Sequence, residues 1–482
     1  MIFLFLKVCL KKRLRQIYFI AKFCEFVGWS FQTFTVLFLH ENKYYLFAMK
    51  FASLILTILF SINTHAQTAK DFAADWDKQR ISSLPPSNVR HKDLQKYLEK
   101  LKQIGIKVEE VGRSYADREI YQIEWGTGAT KVFMWSQMHG DEPTATTALL
   151  DMFAFLQQNR AKLWVKEMEK ALTIRVVPML NPDGAELFQR RNLQSIDINR
   201  DAAALETPEG RLLKKLRDEW SPAIGFNLHN QNPLTTVGKT DKQATISFLA
   251  VLGNAENKSN EGHERNKRIC AVMTLALENF IKGHIGRYDD AYNPRAFGDM
   301  ISAWGTPVIL IETGALHNKD EQFLVKLNFV AYLSALKSLV DKSEQSANPK
   351  IYDALPFNNS GNLFNFIFRN ASVVNFAETS EPFTADVAIN TERRRANESA
   401  PTYIREIGDL SVFSGLEEFD AKDFYLVQKN GLLRIGAIGE FLFYKKTRKI
   451  DWTAKDLEKA FPPDAVFSNG KWTKGEKLLR KF

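Results

Sequence analysis

Four side chains that can bind a cation or move a proton stand just past apolar, β-rich runs. His139 and Glu142 share one loop, His229 ends a second run and Glu312 ends a third. Two ligands three residues apart, in a loop that enters a helix, can both turn toward one ion. Zinc accepts two histidines and one carboxylate, and a catalytic zinc keeps a further position open. An acid beside such an ion can take a proton from water. An isolated H-x-x-E recurs by chance, and a lone histidine is more often a satisfied core group. The joint placement therefore carries the argument. A second cluster, Arg190, Arg191 and Asn192 followed by Asp197-Ile-Asn199-Arg200-Asp201, offers guanidinium and amide groups. Such groups grip a carboxylate bidentately and hold a developing oxyanion.

The elements that must position these groups follow from periodicity. Residues 93–101 read as a short helix with Asp93 as its cap. Residues 106–111 and 119–125 alternate apolar and polar as paired strands. The β-rich run 131–136 leads to His139-Gly-Asp-Glu142-Pro143, after which apolar residues recur at helical spacing behind a first-turn Pro143. Residues 172–180 form a buried strand ended by Asn181-Pro-Asp-Gly184. Residues 224–228 and 307–311 are further apolar strands, and 261–281 and 319–340 are helical. Apolar strands alternating with helices predict an α/β fold with a mostly parallel sheet covered on both faces. Ligands bind at the carboxyl edge of such sheets, where distant residues converge. The pattern weakens at 346–362, read as a linker. Runs at 363–368, 385–389, 424–427 and 433–438 suggest a small β-rich accessory domain over 363–482. The charged stretch 391–398 reads as a solvated loop, and His91, His263, His284 and His317 as surface or supporting groups.

The ordered set His139-x-x-Glu142, Asn181-Pro-Asp-Gly184, Arg190, Asn199-Arg200, His229 and strand-end Glu312 resembles the zinc metallocarboxypeptidase family, pancreatic type, bacterial branch. Gly112-Arg-Ser and Asp117-Arg-Glu-Ile look like that family's opening hairpin. The resemblance covers roughly 90–340 and implies a mixed eight-stranded sheet with helices on both faces. It implies one zinc per chain on His139, Glu142 and His229, with Glu312 as general base. Arg190 would polarise the scissile carbonyl, and Asn199 and Arg200 would hold a free terminal carboxylate. Tyr292 would close over the bound end, with Tyr288 as its rival. The implied activity is removal of a C-terminal residue from peptides. A cell-wall peptide amidase or N-acyl amino acid deacylase on the same core, and a non-catalytic binding protein of the same fold, remain alternatives. Asp201 stands where many relatives have Asn, which bears on the grip of Arg200. Asp299 is the one acid in the region expected to set specificity.

Hydrophobic residues at 45% and charged residues at 25% are ordinary globular values, which excludes a disordered, collagen-like or multi-span membrane chain. The net charge of +9 is lopsided: residues 1–66 hold eight basic and two acidic residues, so the body carries only +3. The body is not a basic nucleic-acid binder. Lys50, the apolar run 51–60 and Ser-Ile-Asn-Thr-His-Ala66 read as a secretory leader cleaved before Gln67, too short to span a membrane comfortably. Met49 stands where an initiator belongs, so 1–48 reads as a spurious extension, 49–66 as the leader and 67–345 as the main domain; membrane-associated helices over 2–39 and 51–62, or an uncleaved single anchor, are the alternatives. The expected location is outside the cytoplasm, periplasmic or secreted, without stable membrane insertion after cleavage. Cys270 alone remains beyond the leader and reads as a buried core residue with no disulfide.

Overall fold

The computed structural model describes residues 68–482 except 290, 376–378, 380, 476–477 and 482. Residues 1–66, read above as an extension and a leader, lie outside the described residues. The body is built on strands β1 (Lys107–Arg113), β2 (Glu119–Gly126), β3 (Thr130–Ser136), β4 (Leu172–Val177), β5 (Ile224–Asn230), β7 (Ile246–Ala250), β8 (Ile285–Arg287) and β9 (Val308–Thr313). They form one eight-stranded sheet in the order β1-β2-β4-β3-β5-β9-β7-β8. The central pairs β4/β3, β3/β5 and β5/β9 are parallel, as is β7/β8, while β1/β2, β2/β4 and β7/β9 are antiparallel. The expected α/β fold with a mixed sheet is therefore observed.

The central strands read as continuous apolar runs because both faces are buried. Along β3, Val132 and Met134 enter one core cluster and Phe133 and Trp135 the other. The first cluster lies under the helices Ala69–Gln79, His91–Gln103, Thr144–Gln158, Glu261–Ile281 and Glu321–Asp341, and the second under Pro208–Trp220 and Phe297–Ala303. By composition Glu321–Asp341 would suit a membrane span, yet 67% of its apolar window is buried inside the protein, as a core helix requires. Cys270 is buried and unpaired, and burial pushes its thiol up.

Several boundaries differ from expectation. Asp93 is not the cap of its helix. It sits at the third helical position, where its carboxylate accepts from the Arg90 backbone N–H at 3.3 Å. Pro143 occupies the cap position itself. The β4 strand stops at Val177, and β5 and β9 extend through His229 and Glu312. His91 is buried, its ring nitrogen 2.8 Å from the Glu119 carbonyl. The segment 346–362 is more than a linker. It carries the short helix Lys350–Asp353 and strand β10 (Asn358–Asn359), which pairs with β6 (Thr236–Val237) beside the main sheet.

The C-terminal region is β-rich, as expected. Its strands are β11 (Leu363–Val374), β12 (Phe383–Thr391), β13 (Thr402–Gly408), β14 (Ser414–Asp420), β15 (Phe424–Gln428), β16 (Phe441–Lys445), β17 (Ala465–Ser468), β18 (Lys471–Lys474) and β19 (Arg480–Lys481). Phe368 is the hub of their core, ringed by Phe419, Phe441, Phe443, Phe467 and Trp472. The run 433–438 is not a strand. Gly436 takes a φ of +85° and turns the segment, which meets β13 through an isolated bridge between Ile438 and Tyr403 before β16 begins at Phe441. Nor is 391–398 simply solvated. Arg395 is 3% exposed, and its guanidinium donates to the carbonyls of Ser87 at 2.7 Å, Ala185 at 2.6 Å and Glu186 at 3.0 Å. The C-terminal region is thus pinned to the turn after β4. Arg395→Ala leaves those carbonyls without their donors. We predict a loss of roughly 1–3 kcal/mol, read as a lower denaturation midpoint at unchanged denaturant slope.

Candidate metal centre

Parallel pairing sets β3, β5 and β9 side by side with their carboxyl ends on one edge. His229 and Glu312 are direct register partners on β5 and β9. The loop after β3 carries His139 and Glu142 to the same edge. That loop is braced from below. A Cβ on Gly140 would come within 1.9 Å of the Gly184 backbone, so this position requires glycine. Asn181 caps its own turn at the Gly184 N–H (2.8 Å) and donates to the Met138 carbonyl at 3.2 Å. Asp183 in the same turn is fully buried and accepts from Ser114 Oγ, the Ala116 N–H and Arg118. The Asn-Pro-Asp-Gly turn and the opening hairpin therefore form one brace for the histidine loop.

The donors converge on Glu142. Its Oε1 is 2.9 Å from His139 Nδ1 and its Oε2 is 2.7 Å from His229 Nδ1, with the Asn230 N–H donating to Oε2 at 3.1 Å. The two Nδ1 atoms are 3.1 Å apart. His139, Glu142 and His229 are all buried, and one ligand atom from each lies within 4.8 Å of the others. Two ring nitrogens and a carboxylate pressed together need a proton or a cation between them, and the donor set is one that zinc accepts. These residues therefore fit a metal ion. Burial alone would raise the Glu142 carboxyl, but the two imidazoles hold it well below the usual range. Burial alone would lower His139. The carboxylates of Glu142 and Asp197 raise it to about 9. His229 stays below its usual value, because burial outweighs its share of Glu142.

Glu312 is 8% exposed, and its Oε2 is buried without a hydrogen-bond partner. Burial, and then the charge of Glu142, pushes its carboxyl well above the usual range. A cavity of about 530 Å³ opens over the cluster, lined by His139, Glu142 and Glu312 together with Arg190, Asn199 and Arg200.

Residues 92–251 match the zinc carboxypeptidase family. The matched segment holds His139, Glu142, Arg190, Asn199, Arg200 and His229 and ends before Glu312. Probable carboxypeptidase 2 of Arthroderma benhamiae is 32% identical over 112 residues, 23% of this chain and 20% of that protein. Carboxypeptidase 2 of Trichophyton rubrum is 33% identical over 101 residues, 20% of this chain and 18% of that protein. The chain spans about a fifth of the length of these curated relatives. Among solved structures, a metallo-carboxypeptidase from Burkholderia cenocepacia aligns over 52% of this chain and 69% of its own, at 17% identity and a TM-score of 0.44. A metallo-carboxypeptidase from Pseudomonas aeruginosa in complex with (2-guanidinoethylmercapto)succinic acid aligns over the same shares, at 16% identity and a TM-score of 0.44.

Within the matched segment 92–251 the two adjacent arginines separate cleanly. Arg190 lines the cavity, with NH1 3.2 Å from His139 Nδ1, whereas Arg191 turns outward to the Ser195 carbonyl. Asn199 and Arg200 both line the cavity, and Asn199 Oδ1 also accepts from the Phe297 N–H. Asp201 neither touches Arg200 through a hydrogen bond nor lines the cavity. It is buried, and its carboxylate accepts from the Glu206 and Thr207 N–H groups and from Thr207 Oγ. Tyr292 is not brought to the cavity, since its hydroxyl faces Met300 Sδ at 3.7 Å. Tyr288 does line it. Asp299 lines the wall, and burial raises its carboxyl.

Asp197, in the same cluster, has no role implied by the resemblance. Asp197 places Oδ1 3.0 Å from His139 Nε2 and accepts from Arg190 Nε at 3.0 Å through Oδ2. It therefore fixes both the ring orientation of a candidate ligand and the aim of the neighbouring guanidinium. Metal-binding histidines commonly donate their other ring nitrogen to a carboxylate, which was the available sequence signal. Asp197→Asn is expected to weaken zinc affinity about 10–100-fold, measured by competition with a chromogenic chelator. Unchanged affinity would remove Asp197 from the centre.

Proposed function

We propose that the chain is a zinc-dependent peptidase that removes a C-terminal residue from peptides. His139, Glu142 and His229 would hold one zinc per chain. When bound, such an ion supplies Lewis-acid polarisation of a carbonyl and acidifies a bound water. Support comes chiefly from one observation. The buried, unpartnered carboxylate oxygen of Glu312 sits in register with His229, beside a cluster whose lone pairs call for a cation. The match of residues 92–251 to the zinc carboxypeptidase family supports the same reading.

The chain's own residues divide the reaction among them. Glu312 takes a proton from the attacking water as the new C–O bond forms. It returns the proton to the leaving nitrogen as the C–N bond breaks. Arg190 donates to the oxyanion from a guanidinium already aimed by Asp197. Asn199 and Arg200 hold the substrate's terminal carboxylate in a bidentate fashion. Tyr288, on the cavity wall, replaces Tyr292 as the group that can cover the bound end.

We also take the body as exported to the periplasm or secreted, supported by the leader-like pattern before Gln67. N-terminal sequencing of the mature protein is expected to start at Gln67, and a start within 1–48 would overturn the leader.

Purified body residues are expected to cleave blocked dipeptides, to lose activity with chelator and to regain it with zinc. Glu312→Gln is expected to lower kcat at least about a hundredfold at unchanged zinc content. A loss below about tenfold would contradict the general-base role. Arg200→Ala is expected to raise KM for peptides with a free C-terminal carboxylate and to spare C-terminally amidated ones. An equal effect on both would deny Arg200 that contact.

A further inference from the structure

A second cavity, of about 780 Å³, lies where the loop after β5 meets the C-terminal region. Asn232 lines both this cavity and the one over the metal-binding cluster. The two cavities are therefore adjacent at Asn232. The wall contributed by the C-terminal region is basic: Arg393, Arg394, Arg395 and Arg405 line it with Glu392 and Glu398. The acids do not neutralise it. Glu392 pairs with Arg394 at 2.9 Å, and Glu398 lies 3.9 Å from Arg395, whose guanidinium is held by backbone carbonyls. Arg393 reaches only to 3.9 Å from Asp141, the residue between Gly140 and Glu142. Arg405 is exposed and, among the described residues, has no carboxylate within 4.0 Å. Because Arg395 is pinned to the turn after β4, this basic wall is held in place rather than free to drift.

We propose that this cavity is a subsite for acidic residues on the amino-terminal side of the scissile bond, so that the C-terminal region selects anionic peptides. The proposal rests on the peptidase reading above, because the metal-binding cavity must hold the carboxyl end for the upstream residues to run past Asn232. Arginine suits the task, since its fork can pair bidentately with a substrate carboxylate. The pairing is semi-exposed, so it tunes selectivity modestly and responds to salt.

The test uses the whole chain with zinc and a set of peptides sharing one C-terminal residue. A single Glu or Gln is walked through the upstream positions, and kcat/KM is compared within each pair. At low salt one or more positions are expected to favour Glu by roughly fivefold, and the preference is expected to collapse toward 1 in 0.5 M salt or in Arg405→Gln. Cleavage of the Gln peptides with a Glu/Gln ratio near 1 at every position would overturn the subsite and leave the peptidase reading intact. A preference that persists in both high salt and Arg405→Gln would also overturn it, because the selectivity would then arise elsewhere. Failure to cleave any peptide would bring down both.

Discussion

A carboxylate buried between two imidazoles is the constraint on which the rest of the molecule depends. Glu142 has both oxygens within 3 Å of a ring nitrogen and one backbone donor besides. Withdrawing such a charge from water costs several kcal/mol unless it is paired and hydrogen-bonded. The geometry must therefore be held tightly, and each surrounding element contributes. Parallel pairing of β3 with β5 sets the two histidine-bearing edges level. The Gly140–Gly184 contact allows the loop to lie against the next turn. Asp197 meets the far nitrogen of His139, so the ring cannot rotate away.

The same constraint explains why the neighbouring groups are buried. Glu312 has an unpartnered oxygen and a carboxyl shifted upward by burial and by Glu142. A neutralising cation at the cluster would relieve the repulsion that Glu312 feels from Glu142. Perturbed acids beside a cavity are a common mark of a working site. The stabilising side of the ledger lies elsewhere, in two apolar clusters that sandwich the sheet and leave its carboxyl edge as the place for polar groups.

The C-terminal region is more than an appendage to this edge. The connecting segment 346–362, through β10, places Asn358 in the cavity wall, where its amide reaches Gln231 at 2.5 Å and its carbonyl accepts from Ser247 Oγ. Through Arg395 the C-terminal region locks onto the carbonyls of Ala185 and Glu186, in the turn that braces the histidine loop.

Periodicity and residue type alone determined the α/β class, the helix Glu261–Ile281, the central strands β3, β5 and β9 and the loop-plus-strand origin of His139, Glu142, His229 and Glu312. These are local properties: apolar spacing reports which side of an element is buried, and ligand spacing within one loop is fixed by the backbone. The tertiary structure alone decided which distant groups meet. It turned Arg190 inward and Arg191 outward, brought Tyr288 rather than Tyr292 to the cavity, and gave Asp201 to a helix cap and Asp197 to the histidine. It also buried Arg395 inside a charged stretch that looks solvated on paper. The reason is physical: where a side chain points, and what partner neutralises it, depends on strand order and packing between segments far apart in the chain, and no local pattern encodes that.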